Sequence, residues 1–318
     1  MEDKFIKAAI LLAASLSYCH FIGTKIPKGL SRLIFLLPIF YIFSSLPWYF
    51  SSVYFRGLSA FFVTWITSFK LLTFSFDRGP LVTCKNYVDF IIVAAFPLKI
   101  KEQQPPQPYP YPTFENLLKF LGLISPFLVT NEFQSPKPKL LLYAISILLG
   151  VYMIFTRGAT LVQVMTRFEL VHFSNRPYFA TSLKDFWGRR WNRMSSNILR
   201  ETIYDPTRES LGRVLGCGPA KTVAKVSTLV VSGAMHEVVF YYMTCGMRPS
   251  WEVTWYFVLQ GFCMAFEAGL KQWVQASGLK PVSPWVSRFI TVGFVMVTAY
   301  WLIVLPVWRS SRSGCHLI

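Results

Sequence analysis

Charge-free apolar runs decide what this chain can fold into. Residues 33–55 hold no Asp, Glu, Lys or Arg over 23 positions, and residues 8–24, 140–156 and 289–308 hold none over 17, 17 and 20. A helix rises about 1.5 Å per residue, so roughly 20 residues cross the ~30 Å hydrocarbon core of a bilayer. Within that core the backbone must satisfy its own hydrogen bonds, which selects helices. Runs 57–69 and 253–266 are shorter and would tilt, pair or re-enter. With 53% hydrophobic residues, 17% aromatics and a mean hydropathy of +0.42, the chain reads as polytopic rather than soluble. The expectation is an all-α integral membrane protein of about eight transmembrane helices. The first run lacks a small-residue cleavage signature, so it is read as a retained span and not a signal peptide.

The chain carries 32 Lys+Arg against 15 Asp+Glu, a formal net charge of +17. In a soluble protein that balance would point to nucleic acid. Here the excess lies between apolar runs, so the positive-inside bias accounts for it and no nucleic acid is expected as a partner. Membrane lipids with anionic headgroups and an anionic cosubstrate suit the same charge. Lys25, Lys28 and Arg32 put the first connector in the cytosol.

The chain is read as one domain over residues 1–318 with no internal repeat. Residues 101–112 (KEQQPPQPYPYP) form a Pro-rich linker, extended because proline forbids a helix interior. It is either a spacer between membrane segments or an SH3-type docking motif. Residues 176–225 hold ten basic side chains against four acidic ones, which is too polar for lipid and reads as a basic cytosolic loop carrying short helices. Its aromatics would anchor it at the interface or in a protein groove.

Within the apolar run 226–247 stands His236, in the string SGAMHEVVF, with Glu237 beside it. Ionisable groups inside a span are rare, face protein or water, and mark functional sites. Eleven residues from Lys225, the imidazole lies roughly 16 Å in, near the bilayer midplane. A neutral imidazole is a competent general base near pH 7. The competing reading is a buried histidine bonded to a neighbouring carbonyl. Ser232, Gly233 and Ala234 allow close helix approach. Neighbours on a helix point about 100° apart, so Glu237 should pair with a different helix.

A second constellation precedes it: Asp185, Phe186, Trp187, Gly188, Arg189, Arg190, Trp191 and Asn192. Arginines interleaved with tryptophans at a membrane edge suit a ligand with an anionic head and an apolar tail. An interfacial amphipathic helix meeting lipid phosphates is the plainer alternative. Other chemistries fall away. Phe240 stands where H-E-x-x-H needs its second histidine, and no nucleophile elbow or phosphate-binding glycine loop occurs. The six cysteines are scattered without a C-x-x-C pair, so free thiols are expected, with no disulfide framework and no metal site. His172 is read as structural.

These two strings, in this order and about 40 residues apart, resemble the membrane-bound O-acyltransferases, and among them the plant wax synthase family. The similarity extends through Ser17-Tyr18-Cys19, Phe96-Pro97-Leu98-Lys99-Ile100, Pro177-Tyr178-Phe179-Ala180-Thr181-Ser182-Leu183, residues 231–237 and residues 294–302. The resemblance implies helices enclosing a reaction chamber in the endoplasmic reticulum membrane, with acyl-CoA as cosubstrate and no cofactor. It implies that His236 is catalytic and that Asn192 assists catalysis or places the thioester. A lipid alcohol would be the acceptor: a long-chain fatty alcohol in wax ester synthesis, or a sterol, or diacylglycerol taking acetate from acetyl-CoA. Trp187, Arg189, Arg190, Trp191 and Arg193 are the acyl-CoA candidates, with Glu237 and Ser232 in support. Family members are expected to continue further past Trp308, which keeps an inactive lipid-binding homologue in view. A proton-coupled transporter would use a His–Glu pair too, but should show repeats and broken helices. A homo-oligomer is left open.

Overall fold

The computed structural model describes residues 2–84, 86–96 and 174–311. These belong to one compact unit. The Pro-rich linker, the apolar run 140–156, His172 and Cys315 lie outside the described residues.

Six helices among the described residues are long and apolar enough to cross a membrane. They are α1 (Glu2–Phe21, continuing to Lys25), α2 (Leu30–Ser45, continuing to Tyr49), α3 (Val53–Ser75), α7 (Cys217–Met243), α8 (Glu252–Ala276) and α9 (Pro284–Val307). Shorter helices are α4 (Tyr87–Ala95), α5 (Arg193–Leu199) and α6 (Asp205–Leu215). The architecture is all-helical and membrane-spanning, as expected. Their flanks carry Phe289, Tyr41, Phe266 and Trp285 more than 70% exposed, which is an outer surface for acyl chains and not for water.

Two boundaries differ from the sequence expectation. α7 begins at Cys217, so the last turns of the basic segment already belong to a span-length helix. α8 runs through Lys271 to Ala276, and α9 starts at Pro284, leaving a shorter connector than the charges suggested. Lysine stems reach back along apolar surface, so a helix need not stop where its charges begin.

The turns are closed by arginines, Arg32 buried and Arg56 half-buried. Arg32 donates from Nε and Nη2 to the Ile26 carbonyl at 3.1 and 2.9 Å, and from Nη1 to Phe74 O at 2.9 Å. At the other end Arg56 grips the Phe50 carbonyl at 3.2 and 3.0 Å in the same six-residue pattern. Each fork satisfies a carbonyl that a helix terminus leaves without a partner.

Contacts sort the helix ends onto two sides. Lys28 pairs with Asp77 at 3.2 Å and Arg78 with Glu209 at 3.1 Å, which gathers the α1–α2 turn, the end of α3 and α6 on one side. Trp48 packs on Tyr241 and Tyr242 at the opposite side, where Arg309 also pairs with Glu252 at 2.9 Å. On that second side Cys245 is disulfide-bonded, which corrects the expectation of free thiols throughout. It lies in the polar connector beyond α7 and not inside a span, where an oxidising compartment can reach it. Cys19, Cys84, Cys217 and Cys263 are free.

α7 and α8 pack closely because Gly233 lets them. A Cβ there would lie 2.9 Å from Thr254 Cα and 3.2 Å from Phe257 Cβ. This contact sets His236 and Glu237 directly against α8.

Candidate active site

His236 lies in the last third of α7, about 16 Å along the helix from Lys225 and about 10 Å from Met243. It is held on three sides. Its Nδ1 lies 2.7 Å from the Ser232 carbonyl oxygen one turn back. Phe257 of α8 stacks on one ring face with centroids 4.5 Å apart and planes 30° apart. Trp65 of α3 meets it edge-on at 5.1 Å and 72°. A carbonyl oxygen only accepts, so Nδ1 carries the proton in the neutral ring. The Nε2 lone pair is therefore the basic position. Ser232 contributes through its backbone and not through its hydroxyl. The carbonyl bond of the plainer reading is present, and it selects the tautomer a base needs.

Glu237 is buried at 4% exposure and turns away from the imidazole. Its Oε1 accepts from the backbone N–H groups of Val253 and Thr254, both at 3.2 Å. It caps the α8 N-terminus, where helix N–H groups lack internal partners and a carboxylate meets the positive end of the dipole. The expected partner on a different helix is thus the backbone of α8.

The Trp/Arg string folds as a widened turn, a π-helical stretch over Phe186–Arg190. Trp191 N–H closes it onto the Phe186 carbonyl at 2.8 Å, and the Trp191 and Phe186 rings stack at 5.5 Å and 13°. Trp187 reaches inward, packing on Phe257 at 5.4 Å and donating Nε1–H to Gln260 Oε1 at 3.2 Å. Gln260, fully buried on α8, donates onward to Thr298 Oγ1 of α9 at 2.9 Å. Phe257 therefore lies between the Trp187 and His236 rings and joins the two sequence strings in space. Glu267 of α8 fixes the start of the string, accepting from Leu183 N–H at 2.9 Å.

Asn192 caps α5, its Oδ1 accepting from Ser195 N–H at 3.0 Å. The cap uses the oxygen and leaves the Nδ2 amide with no protein partner among the described residues. The arginines divide. Arg190 is engaged by Asp185 at 2.5 Å and by the carbonyls of Asn175 and Arg176, so it clamps the loop. Arg189, which is exposed, and Arg193 form no ion pair among the described residues. Sequence reasoning did not single out Trp65, Phe257, Gln260, Thr298 or Glu267. An uncharged amide inside the apolar run 253–266 could have flagged Gln260; aromatic residues in an apolar run carry no such signal. Groups of three or more potential metal ligands are absent among the described residues.

The fold and site define a polytopic membrane protein with a histidine held between its helices. A model of the membrane bound O-acyl transferase family matches residues 171–259, which contain both strings. In Arabidopsis thaliana the chain is similar to acyl-CoA–sterol O-acyltransferase 1, 38% identical over 312 residues, covering 94% of this chain and 89% of that one. It is likewise 38% identical to probable long-chain-alcohol O-fatty-acyltransferase 3 over 317 residues, 98% of this chain and 92% of the relative. Probable long-chain-alcohol O-fatty-acyltransferase 1 is 36% identical over 326 residues, 98% and 94% of the two. The chain belongs to the membrane bound O-acyl transferase family, and its activity class is O-acyl transfer.

Proposed function

We propose that this chain esterifies a long-chain fatty alcohol with fatty acyl-CoA to give a wax ester, in the endoplasmic reticulum membrane with the basic segment on the cytosolic side. The carrying observation is the tautomer-fixed His236 within a span. One substrate is water-soluble and the other is dissolved in lipid, so a base must sit where both can reach it. His236 Nε2 takes the alcohol proton as the alcohol oxygen attacks the thioester carbon. The C–S bond then breaks, and the imidazolium returns the proton to CoA thiolate. Such a base contributes roughly 10²–10⁴ in rate. The Asn192 amide donates to the acyl carbonyl, Trp187 and Trp191 shape an apolar wall, and Arg189 and Arg193 take CoA phosphates. A dry chamber favours the alcohol over water as nucleophile. The relatives named as long-chain-alcohol O-fatty-acyltransferases support the fatty alcohol as acceptor.

A sterol acceptor is the second reading, favoured by the 38% identity to a sterol O-acyltransferase. Yeast lacking its own neutral-lipid acyltransferases, expressing the chain and fed fatty alcohol, separates the two. Wax ester in the lipid extract is the expected product. Steryl ester alone would transfer the same chemistry to the other acceptor, and no new ester from well-expressed protein would contradict both.

A further inference from the structure

Trp65 lies in a π-helical stretch, Ala60–Thr67, in the middle of α3. The widened turn is filled by hydroxyls: Thr67 Oγ1 and Ser68 Oγ donate to carbonyls five residues back, Phe62 O at 2.9 Å and Val63 O at 3.1 Å. Such turns recur at functional sites. The Trp65 side chain is fully buried, yet its Nε1–H has no hydrogen-bond partner among the described residues. The contrast with Trp187 is direct, because that indole finds Gln260 Oε1 at 3.2 Å. A buried donor without an acceptor has lost its water and gained nothing in return, and each such group calls for an explanation. Here the orphan belongs to the ring that stands edge-on to His236, 5.1 Å between centroids.

An indole N–H only donates, so what satisfies it must bring an acceptor. The Ser232 carbonyl takes Nδ1, and Phe257 and Trp65 pack on the imidazole ring, while Nε2 makes no hydrogen bond among the described residues. The alcohol hydrogen goes to Nε2. The atom that gains negative charge is the acyl carbonyl oxygen, and donors fixed at that point stabilise the transition state most. We propose that the Trp65 indole N–H is an oxyanion donor, holding the acyl carbonyl oxygen of the bound thioester beside His236. In the step, the alcohol oxygen bonds to the acyl carbon while its proton moves to Nε2, and the carbonyl π pair moves onto the oxygen held by Trp65. Collapse restores the C=O and breaks the C–S bond, and the imidazolium proton passes to the thiolate. This assignment rests on the acyl-transfer reading above.

The test uses the full chain in nanodiscs with Trp65 replaced by 3-benzothienylalanine, which puts sulfur where the N–H was, and with Trp65→Phe as a second variant. Loss of kcat on the order of 10²-fold, with KM for the alcohol little changed, is expected. Two unreactive ligands supply a readout that packing alone would not move. The ketone S-(2-oxoalkyl)-CoA keeps a carbonyl near the reacting position, and S-alkyl-CoA has none. The variants should lose affinity for the ketone and keep it for the alkyl thioether. Parental kcat in the benzothienyl variant, or equal weakening of both ligands, would overturn the assignment. A parent that binds both ligands but forms no ester with any alcohol would instead overturn the acyl-transfer reading.

Discussion

The role proposed for His236 depends on a bond to its own helix. The Ser232 carbonyl holds the proton on Nδ1, and Phe257 and Trp65 prevent the ring from turning over. Asn192 divides its amide: the oxygen caps α5, and the NH₂ has no partner among the described residues and is the group proposed to meet the substrate. Serine caps a helix about as well as asparagine but lacks that amide. Asn192→Ser is therefore expected to lower kcat on the order of 10²-fold with thermal stability nearly unchanged, as followed by melting in detergent. Glu237 separates a structural from a chemical role. Glu237→Gln keeps an acceptor oxygen for Val253 and Thr254 and should retain most activity. Glu237→Ala leaves the buried Val253 N–H and the half-buried Thr254 N–H without their partner and should cost about 1–3 kcal/mol of stability. Arg189→Ala and Arg193→Ala should each raise KM for acyl-CoA on the order of tenfold with kcat held, the loss of one charge-assisted contact.

At the scale of elements, the helix contact through Gly233 decides whether the site assembles. Gly233→Ala inserts a methyl 2.9 Å from Thr254 Cα, and Thr254 O and Phe257 Cβ, both 3.2 Å away, leave it little room. Overpacking of this kind costs about 1–3 kcal/mol, so a lower unfolding temperature and a proportionally larger loss of activity are expected, because Phe257 and the α8 N-terminus move with it. Spans α1, α2 and α9 were legible from charge-free runs because lipid leaves the backbone no alternative to helix, whereas α3, α7 and α8 extend past charged residues and were legible only in their apolar middles. So were His236 and the Trp/Arg string, because charge inside or beside a span is conspicuous. The π-helical turns at Ala60–Thr67 and Phe186–Arg190 were not legible, since one extra residue per turn leaves no mark on hydropathy. Nor was the division between Arg189 and Arg190, which depends on where Asp185 lies after folding. Gln260 and Thr298 meet only because α8 and α9 pack together.

Across the whole molecule, the basic segment and the Cys245 disulfide lie at opposite ends of α7, which suits a reducing cytosol on one side and an oxidising lumen on the other. Thiol labelling checks this. Cys217 is exposed at the basic end, so an impermeant maleimide should modify it in sealed, cytosol-side-out microsomes; labelling only after permeabilisation would invert the orientation. Cys84 should react far more slowly at neutral pH and faster as pH rises. Burial pushes its thiol up to about 11, with Asp89 acting in the same direction and Lys70 opposing. Ester formation through His236 is measured with purified protein in nanodiscs given labelled fatty acyl-CoA and a long-chain alcohol. Parent and His236→Ala are compared at equal folded amounts by the ester each produces. Wax ester is expected from the parent, with a loss of at least about 10²-fold in the variant; equal product from the two would remove His236 from the reaction.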